Sequence, residues 1–209
     1  MIEIEFKRAE LEDKEIISHY FEHHTSRSCE RTFANVYLWS RQYPVKWAVV
    51  EGALVFKSQD EEHLSFAYPA GEPESVKRAL DTLMKYAKER NFPFSMYNVT
   101  PDNFAQLESF YPGKFQIEYM RDDADYVYEA EKLANLSGKK LHAKRNHINK
   151  FKKLYEDRWS YERMSKDNLE DCFQMQFRWR TENHCDDDPE KRSELCVAQN
   201  ALRLFEELE

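Results

Sequence analysis

One amphipathic stretch, residues 75–91, narrows the folds open to this chain more than any other feature. Its apolar side chains recur every three or four residues and fall on one helical face. They are Val76, Ala79, Leu80, Leu83, Met84 and Ala87. Asn91 and Pro93 predict where the helix ends. Apolar runs typical of strands flank it at Leu64–Tyr68 and Phe94–Tyr97, so we predict that helices and strands pack together here.

The remainder of residues 1–129 continues this mixture of strands and helices. Further strands are predicted at Ile2–Phe6, Trp47–Val50, Ala53–Phe56, Phe115–Met120 and Asp125–Glu129. Further helices are predicted at Leu11–Phe21, Thr32–Trp39 and Thr100–Phe110. Glu51 and Gly52 separate two of the strands and predict a hairpin. The predicted order, β-α-α-β-β-β-α-β-α-β-β, is typical of a compact α/β unit with a mixed sheet.

From residue 130 the pattern becomes mostly helical. Helices are predicted at residues 139–155, 168–181 and 190–208, and a strand at Trp159–Met164. Ser137 precedes the first of these helices and is placed to cap it. We therefore predict one domain at residues 1–129 and the start of a second at residues 130–209.

The predicted second domain looks incomplete. Its last helix carries an apolar stripe, but this half of the chain has few strands to cover it. The stripe consists of Leu195, Ala198, Leu202, Phe205 and Leu208. A fragment of a longer protein would explain the imbalance, and so would a helix that frays at a natural carboxyl terminus. Both interpretations stay open at this point.

Composition is typical of a folded protein without a membrane segment. Hydrophobic residues make up 41% and aromatic residues 14% of the 209 residues, which is enough for a core. Residues 1–20 mix charged and apolar side chains, unlike a secretory signal, and no window approaches about 18 uncharged apolar residues. The four cysteines form no CxxC pair, as expected for free thiols. We expect a cytoplasmic protein with no transmembrane segment.

Positive charge is concentrated in one segment, residues 139–153. These residues (KKLHAKRNHINKFKK) include seven Lys or Arg and no acid. The whole chain carries −8, so without these seven positive charges the rest carries −15. A concentrated positive strip on an acidic chain predicts an anionic partner that meets one place on the surface.

When residues 139–153 are placed on an α-helix, their side chains fall on two faces. Leu141, Ile148, Phe151 and Tyr155 form a stripe that we predict is buried. The polar face offers cations and amides but no carboxylate, which suits phosphate or carboxylate oxygens. The candidate substrate-binding residues are Lys139, Lys140, His142, Lys144, Arg145, Asn146, Asn149, Lys150 and Lys153. The simpler alternative is a solvated basic face, although the segment lacks the Glu–Lys pairs that such faces tend to use.

Three stretches of the chain carry a family resemblance. They are SCERTFANVYLW (Ser28–Trp39), DYVY (Asp125–Tyr128) and LSGKKLHAKRNHINKF (Leu136–Phe151), the last being the longest and most specific. They resemble the bacterial family that carries the phosphatidylglycerol lysyltransferase C-terminal domain, over essentially the whole chain. The resemblance implies a tandem acyl-CoA N-acyltransferase (GNAT)-like fold, similar to the Fem aminoacyltransferases. The first unit would be complete and the second partial.

The resemblance also implies a chemistry. Lysyltransferases of this kind move an aminoacyl group from charged tRNA to the glycerol headgroup of a lipid. Acyl-CoA or aminoacyl-tRNA is therefore the implied donor, and an anionic lipid headgroup or an amine the implied acceptor. Such esters and thioesters are already activated, so positioning and charge complementarity supply much of the rate. His142 and His147 are the candidates for a general base, followed by Asp125.

The remaining motifs give weaker predictions about cofactors, metals and nucleophiles. No G-x-G loop is present to cradle a pyrophosphate, so the CoA loop lies elsewhere, the cofactor site is lost, or the donor is not CoA. His184–Asp188 favours an exposed acidic loop over a metal site, since adjacent ligands rarely converge on one ion. Cys29 is interpreted as a half-buried free thiol rather than a nucleophile. The His pair at residues 23–24 is expected to face solvent.

Two functions therefore stay open. The first is an acyl- or aminoacyl-transferase that acts on an amine or hydroxyl acceptor. The second is a non-catalytic module that binds RNA or anionic lipid headgroups through residues 139–153, since seven cations on one helix suffice for salt-sensitive binding. The acidity of the rest of the chain argues against broad nucleic-acid binding, because it would repel a long polyanion.

Overall fold

A computed structural model describes residues 1–23, 26, 28–122, 124 and 126–208. The chain forms two compact units. The first joins Met1–Tyr119 to the residues from Gln176 onward, and the second is Met120–Met175. The predicted division at residues 129 and 130 concerns domains of the implied family fold. The compact units do not test it, and it stays a prediction.

Helices outnumber strands among the described residues. The helices are α1 (Lys14–His23), α2 (Phe33–Trp39), α3 (Pro73–Glu89), α4 (Pro101–Phe110), α5 (Ala130–Asn135), α6 (His142–Tyr155), α7 (Leu169–Glu182), α8 (Pro189–Arg203) and α9 (Phe205–Leu208). The strands are β1 (Val45–Val50), β2 (Ala53–Gln59), β3 (Leu64–Ala67) and β4 (Met96–Tyr97). Short 3-10 turns lie at Leu11–Asp13, Lys139–Leu141 and Cys185–Asp187.

The first unit is built on a four-stranded mixed sheet in the order β1-β2-β3-β4. Strands β1 and β2 form the predicted hairpin, and both turn residues are left-handed, Glu51 at φ 52° and Gly52 at φ 81°. This two-residue turn matches the twist of antiparallel strands. Strand β3 pairs antiparallel with β2 and parallel with β4. The mixed α/β class is therefore confirmed, while the acetyltransferase-like assignment stays a prediction.

Helix α3 packs on one face of this sheet, as its apolar stripe predicts. It begins two residues before the predicted start because Pro73, whose fixed φ suits a first helical turn, opens it. The stripe is almost wholly buried, and it clusters with Val55 and Phe66 of the sheet. Helix α3 also makes the connection between the parallel strands β3 and β4.

The opposite face of the sheet is covered by helices α1, α2 and α8. Successive strand residues point to opposite faces, so Leu54 and Phe56 join this second cluster while Val55 joins the first. Ile17 of α1, Tyr37 of α2 and Val197 of α8 belong to it. The prediction that the last helix lacks a cover is therefore wrong, because α8 packs within the first unit.

Four predicted strands do not form among the described residues: Ile2–Phe6, Phe115–Met120, 126–129 and Trp159–Met164. Asp125 lies outside those residues. The alternation at the amino terminus reports burial instead, since Ile2, Ile4 and Phe6 pack against the sheet core without pairing as a strand. Only Lys7 bridges Trp47, with N to O distances of 3.0 and 2.8 Å.

The second unit contains α5, α6 and the first part of α7. The predicted helix at residues 139–155 is confirmed, although its first turn is 3-10. The predicted burial of its apolar stripe is wrong, because Ile148, Phe151 and Tyr155 are 42%, 44% and 40% exposed. The rings shield one another instead, with 4.8 Å between the centroids of Phe151 and Tyr155 and 5.6 Å between those of Phe151 and Trp159. Across the described residues, no helix has the length and apolarity needed to span a bilayer.

Candidate functional site

The candidate site lies where a short loop leads into helix α6. Leu136, which ends α5, has a left-handed backbone with φ 49°, and Gly138 has φ 88°. A leucine in this conformation is strained, so its surroundings must hold it. Arg145 does so from the second turn of α6. Its guanidinium donates to the carbonyl oxygen of Leu136 and, at 3.0 Å, to that of Gly138.

This loop and the start of α6 enclose an open surface cavity of about 670 Å³. Its lining residues are Asn135, Leu136, Ser137, Gly138, Lys139, His142 and Arg145. Three predicted site residues, Lys139, His142 and Arg145, thus meet at one place. The other six predicted residues lie outside the cavity lining. Ser137 does not cap the helix, since no side-chain cap bond is present at Gly138 or Leu141.

The polar stripe of α6 exists as predicted. The Asn146 side-chain amide lies 3.4 Å from Nδ1 of His142, one turn earlier. All nine predicted residues are exposed except Arg145, which is half-buried and committed to the loop carbonyls. Arg145 therefore shapes the cavity, and the exposed charge of the stripe comes from its lysines.

The electrostatics of the stripe follow from its neighbours. Among the described residues, none of the six lysines at residues 139–153 forms an ion pair with a carboxylate. Helix α6 has no acid in its first turn and carries Lys152 and Lys153 in its last turn. Positive charge that is not neutralised within the protein is available to an external anion. The arrangement therefore suits phosphate or carboxylate groups.

The candidate bases are placed differently from one another. His142 lines the cavity, whereas His147 is exposed outside its lining. In the part of the chain that the structure describes, neither histidine contacts a carboxylate that could orient it. Asp125 lies outside that part. His142 is therefore the base candidate that the geometry favours.

The structure also shows the surroundings of three motifs for which the sequence makes weaker functional predictions. Cys185 is fully buried, which corrects the prediction of an exposed loop, while Asp186 accepts from Arg180 at 2.9 Å. The described residues hold no cluster of three or more potential metal ligands. Cys29 is exposed rather than half-buried. His23 faces solvent as expected, with Nδ1 2.7 Å from the His19 carbonyl, and His24 lies outside the described residues.

Sequence reasoning missed the loop that forms the cavity wall. Asn135–Gly138 carries no charge, so the charge pattern could not select it. The usable signal was Gly138, one of only four glycines in the chain, directly before the basic run. An added Cβ there would meet nothing within 4 Å. The positive φ alone therefore favours glycine.

Comparison with known proteins supports the resemblance. Residues 21–209 match the family described as phosphatidylglycerol lysyltransferase, C-terminal. The crystal structure of a conserved protein of unknown function from Bacteroides thetaiotaomicron VPI-5482 is similar, with a TM-score of 0.88 and 33% sequence identity. That match covers 99% of this chain and 69% of the other. No curated protein matches the chain.

Proposed function

Because the chain belongs to the phosphatidylglycerol lysyltransferase C-terminal family, we propose that it acts in acyl or aminoacyl transfer, with α6 binding the phosphate-bearing substrate. The observation that carries the proposal is the run of seven cations without an acid at residues 139–153. It leads directly from the cavity beside His142 along an exposed helix face. The proposed fold is the tandem acetyltransferase-like one, with units at residues 1–129 and 130–209.

Binding is the first step of the proposed reaction. Aminoacyl-tRNA and acyl-CoA both carry phosphates, near the reacting ester in the tRNA and at the far end of the pantetheine arm from the thioester in CoA. Lysine ammonium groups bind such phosphates as point charges without demanding one geometry. Lys144 and Lys150 are exposed on α6 and would hold the donor, or an anionic lipid headgroup as acceptor. The cavity of about 670 Å³ falls within the range of small-ligand sites and would take the reacting group.

The chemical step needs little from the protein. The acceptor amine or hydroxyl attacks the carbonyl carbon of the donor, and the new bond forms as the ester C–O or thioester C–S bond breaks. The acceptor's proton passes to the leaving oxygen or sulfur. His142, which lines the cavity, would carry that proton, with His147 as the alternative. Positioning of two activated partners supplies the larger part of the rate.

A second function is favoured by a different observation. Every residue of α6 except Arg145 is exposed, and the histidines are not oriented by carboxylates within the described residues. An open cationic face of this kind also suits a non-catalytic module that binds RNA or anionic lipid headgroups. This alternative shares the binding step with the transferase and lacks the chemical one.

The decisive experiment separates binding from transfer. Transfer from charged tRNA and from acyl-CoA to lipid and amine acceptors would be measured for the wild type, for Lys144→Ala/Lys150→Ala and for His142→Ala. The double variant should weaken binding and lower the salt dependence of log K by about two. His142→Ala should keep binding and lose transfer by roughly 100-fold or more.

The matched control removes two lysines from another helix. Lys85 and Lys88 are exposed on α3 in the first unit, so Lys85→Ala/Lys88→Ala changes net charge equally. This control should leave binding within about twofold of the wild type. Equal effects of both double variants would reject α6 as the binding element. Salt-sensitive binding without transfer from either donor would favour the module over the enzyme.

A further inference from the structure

Two exposed histidines lie one helical turn apart at the end of α1. They are His19 and His23, the first and last residues of the segment HYFEH. Residues four apart lie on the same face of a helix. The two rings are neighbours, with 4.4 Å between their centroids and 44° between their planes. Both imidazoles therefore lie side by side in solvent, while Ile17 and Phe21 bury the opposite face of the helix.

A backbone contact fixes which nitrogen of His23 carries a hydrogen. Nδ1 lies 2.7 Å from the His19 carbonyl oxygen, and a carbonyl oxygen only accepts, so Nδ1 is the donor. In the neutral ring, Nε2 then keeps its lone pair. Histidines that bind metals are usually held in this way, by a hydrogen bond from the second ring nitrogen to a carbonyl or a carboxylate. Within the described residues, neither ring nitrogen of His19 forms a hydrogen bond, so a lone pair is available there as well.

The separation of the rings suits two imidazoles on one metal ion. Imidazole nitrogens bind zinc at about 2.0–2.1 Å, so two rings on one ion have centroids about 4.5–5 Å apart when the bond angle is about 90–110°. The observed 4.4 Å is close to the lower end of this range, so small rotations bring both rings to one ion. Zinc enzymes use the same spacing, since H-E-x-x-H and H-x-x-E-H segments place two histidine ligands on one helix face.

We propose that His19 and His23 together bind one divalent transition-metal ion. Imidazole nitrogen suits Zn²⁺, Ni²⁺ and Cu²⁺, whereas Mg²⁺ and Ca²⁺ prefer oxygen ligands. Among the described residues, no third side chain completes a cluster of metal ligands, so water fills the remaining positions on the ion. The proposal covers ion binding and no hydrolysis, because catalytic zinc sites use three protein ligands.

Binding has a mechanical consequence for α1. An ion held by two side chains one turn apart closes a ring that includes the last turn of the helix, and this ring exists only when the turn is helical. The ion therefore binds the folded state and should raise Tm. The site lies in the first unit and is independent of α6 and of the proposed transfer reaction.

The test measures ion binding to the full-length protein by calorimetry and by thermal shift. Ni²⁺ is the probe, because Cys29 and Cys196 are exposed thiols that would compete for Zn²⁺. At slightly alkaline pH, where imidazoles are mostly neutral, Ni²⁺ should bind and raise Tm, and a chelator should reverse the rise. Mg²⁺ at the same concentration should neither bind nor change Tm.

Three variants locate the ion on the chain. His19→Gln removes one imidazole and leaves the bond from the His23 ring to the backbone. It should weaken Ni²⁺ binding roughly 100-fold, because the helix no longer holds a second ligand beside the first. His19→Gln/His23→Gln should lose little more, since one imidazole alone already binds weakly. His63→Gln removes another exposed histidine of the first unit and should leave the affinity within about twofold. Circular dichroism checks that each variant is folded.

Several outcomes would overturn the proposal. The absence of Ni²⁺ binding to the wild type would reject the site outright. A folded His19→Gln protein with wild-type affinity would place the ion elsewhere on the chain. An equal loss of affinity in His63→Gln would show that Ni²⁺ binds exposed histidines without regard to their pairing. Equal binding of Mg²⁺ would show that oxygen ligands, and not imidazoles, hold the ion.

Discussion

The two units of this protein use the same side chains in opposite ways. In the first unit, Phe66 is 0% exposed between the sheet and α3, and ring contacts tie it to Tyr86 and Phe94. In the second unit, Phe151 is 44% exposed, and the rings of Tyr155 and Trp159 lie beside it. Amphipathic sequence produces a helix in both places. Burial follows only where a sheet faces the helix. The first unit therefore carries the stability of the chain, while the second presents charge and aromatic surface.

The largest effect on stability is expected from a substitution at the centre of the first unit's core. Phe66→Ala should lower the free energy of unfolding by about 3–5 kcal/mol, because it removes a ring from a closely packed core. The corresponding change in the second unit, Phe151→Ala, should cost less than about 1 kcal/mol. Urea unfolding followed by circular dichroism measures both. Similar losses for the two variants would contradict the contrast between the units.

High pH should test the burial of two tyrosines in the first unit. Burial raises the pKa of Tyr68 and Tyr97 to about 12. In the unfolded chain these tyrosines lose their protons near pH 10, about two units earlier. Their contribution to stability is thus complete below about pH 10 and is lost as pH rises towards 12. Absorbance at a tyrosinate wavelength, with parallel unfolding curves, checks this. A single titration step for all tyrosines would contradict it.

The loop before α6 offers a local test. Arg145→Ala removes the donors to the Leu136 and Gly138 carbonyls, so the strained loop should open at a cost of about 1–3 kcal/mol. Hydrogen exchange at residues 136–141 should rise, while exchange in the first unit should stay unchanged. Lys144→Ala is the neighbouring control, because its side chain is exposed. Equal exchange in both variants would show that Arg145 does not hold the loop.

The smallest effect on stability is expected on the exposed face of α6. Lys150→Glu should change the free energy of unfolding by less than about 0.5 kcal/mol, because the side chain is solvated. The same change should weaken anion binding clearly, since it reverses a charge at the proposed substrate face. Thermal unfolding and a salt titration of binding, run side by side, measure the two effects. A large loss of stability would mean that the basic face is structural.

Local chemistry explains which parts of the fold could be predicted. The hairpin at Glu51-Gly52 and helix α3 follow from turn residues and an apolar period that act within a few residues. Ile2–Phe6 alternates like a strand, yet it only packs on the core, because alternation reports burial and not pairing. The exposure of Phe151 was missed for the same reason. A repeat of apolar residues along a helix does not show whether another element packs against that face.

Side-chain contacts also differed in how far the sequence could predict them. The basic stripe of α6 is contiguous in sequence, so charge counting located it. The hydrogen bond from Arg145 to the Leu136 carbonyl depends on a left-handed backbone at Leu136, which a leucine in the sequence does not predict. Arg31 donates to the Tyr68 carbonyl oxygen, 37 residues away, only because the fold brings the segment before α2 to the end of β3. Such long-range contacts follow from the fold as a whole and carry no local signal.

Leu136 has a consequence for how this protein can be changed. A left-handed φ costs a residue with a Cβ about 1–2 kcal/mol relative to glycine. A protein selected for thermal resistance alone would carry glycine or asparagine at residue 136. Leu136 also lines the proposed site, and stability given up at a functional site is a common trade-off in enzymes. Replacing it by glycine is therefore expected to stabilise the loop and, at the same time, to change the wall of the cavity.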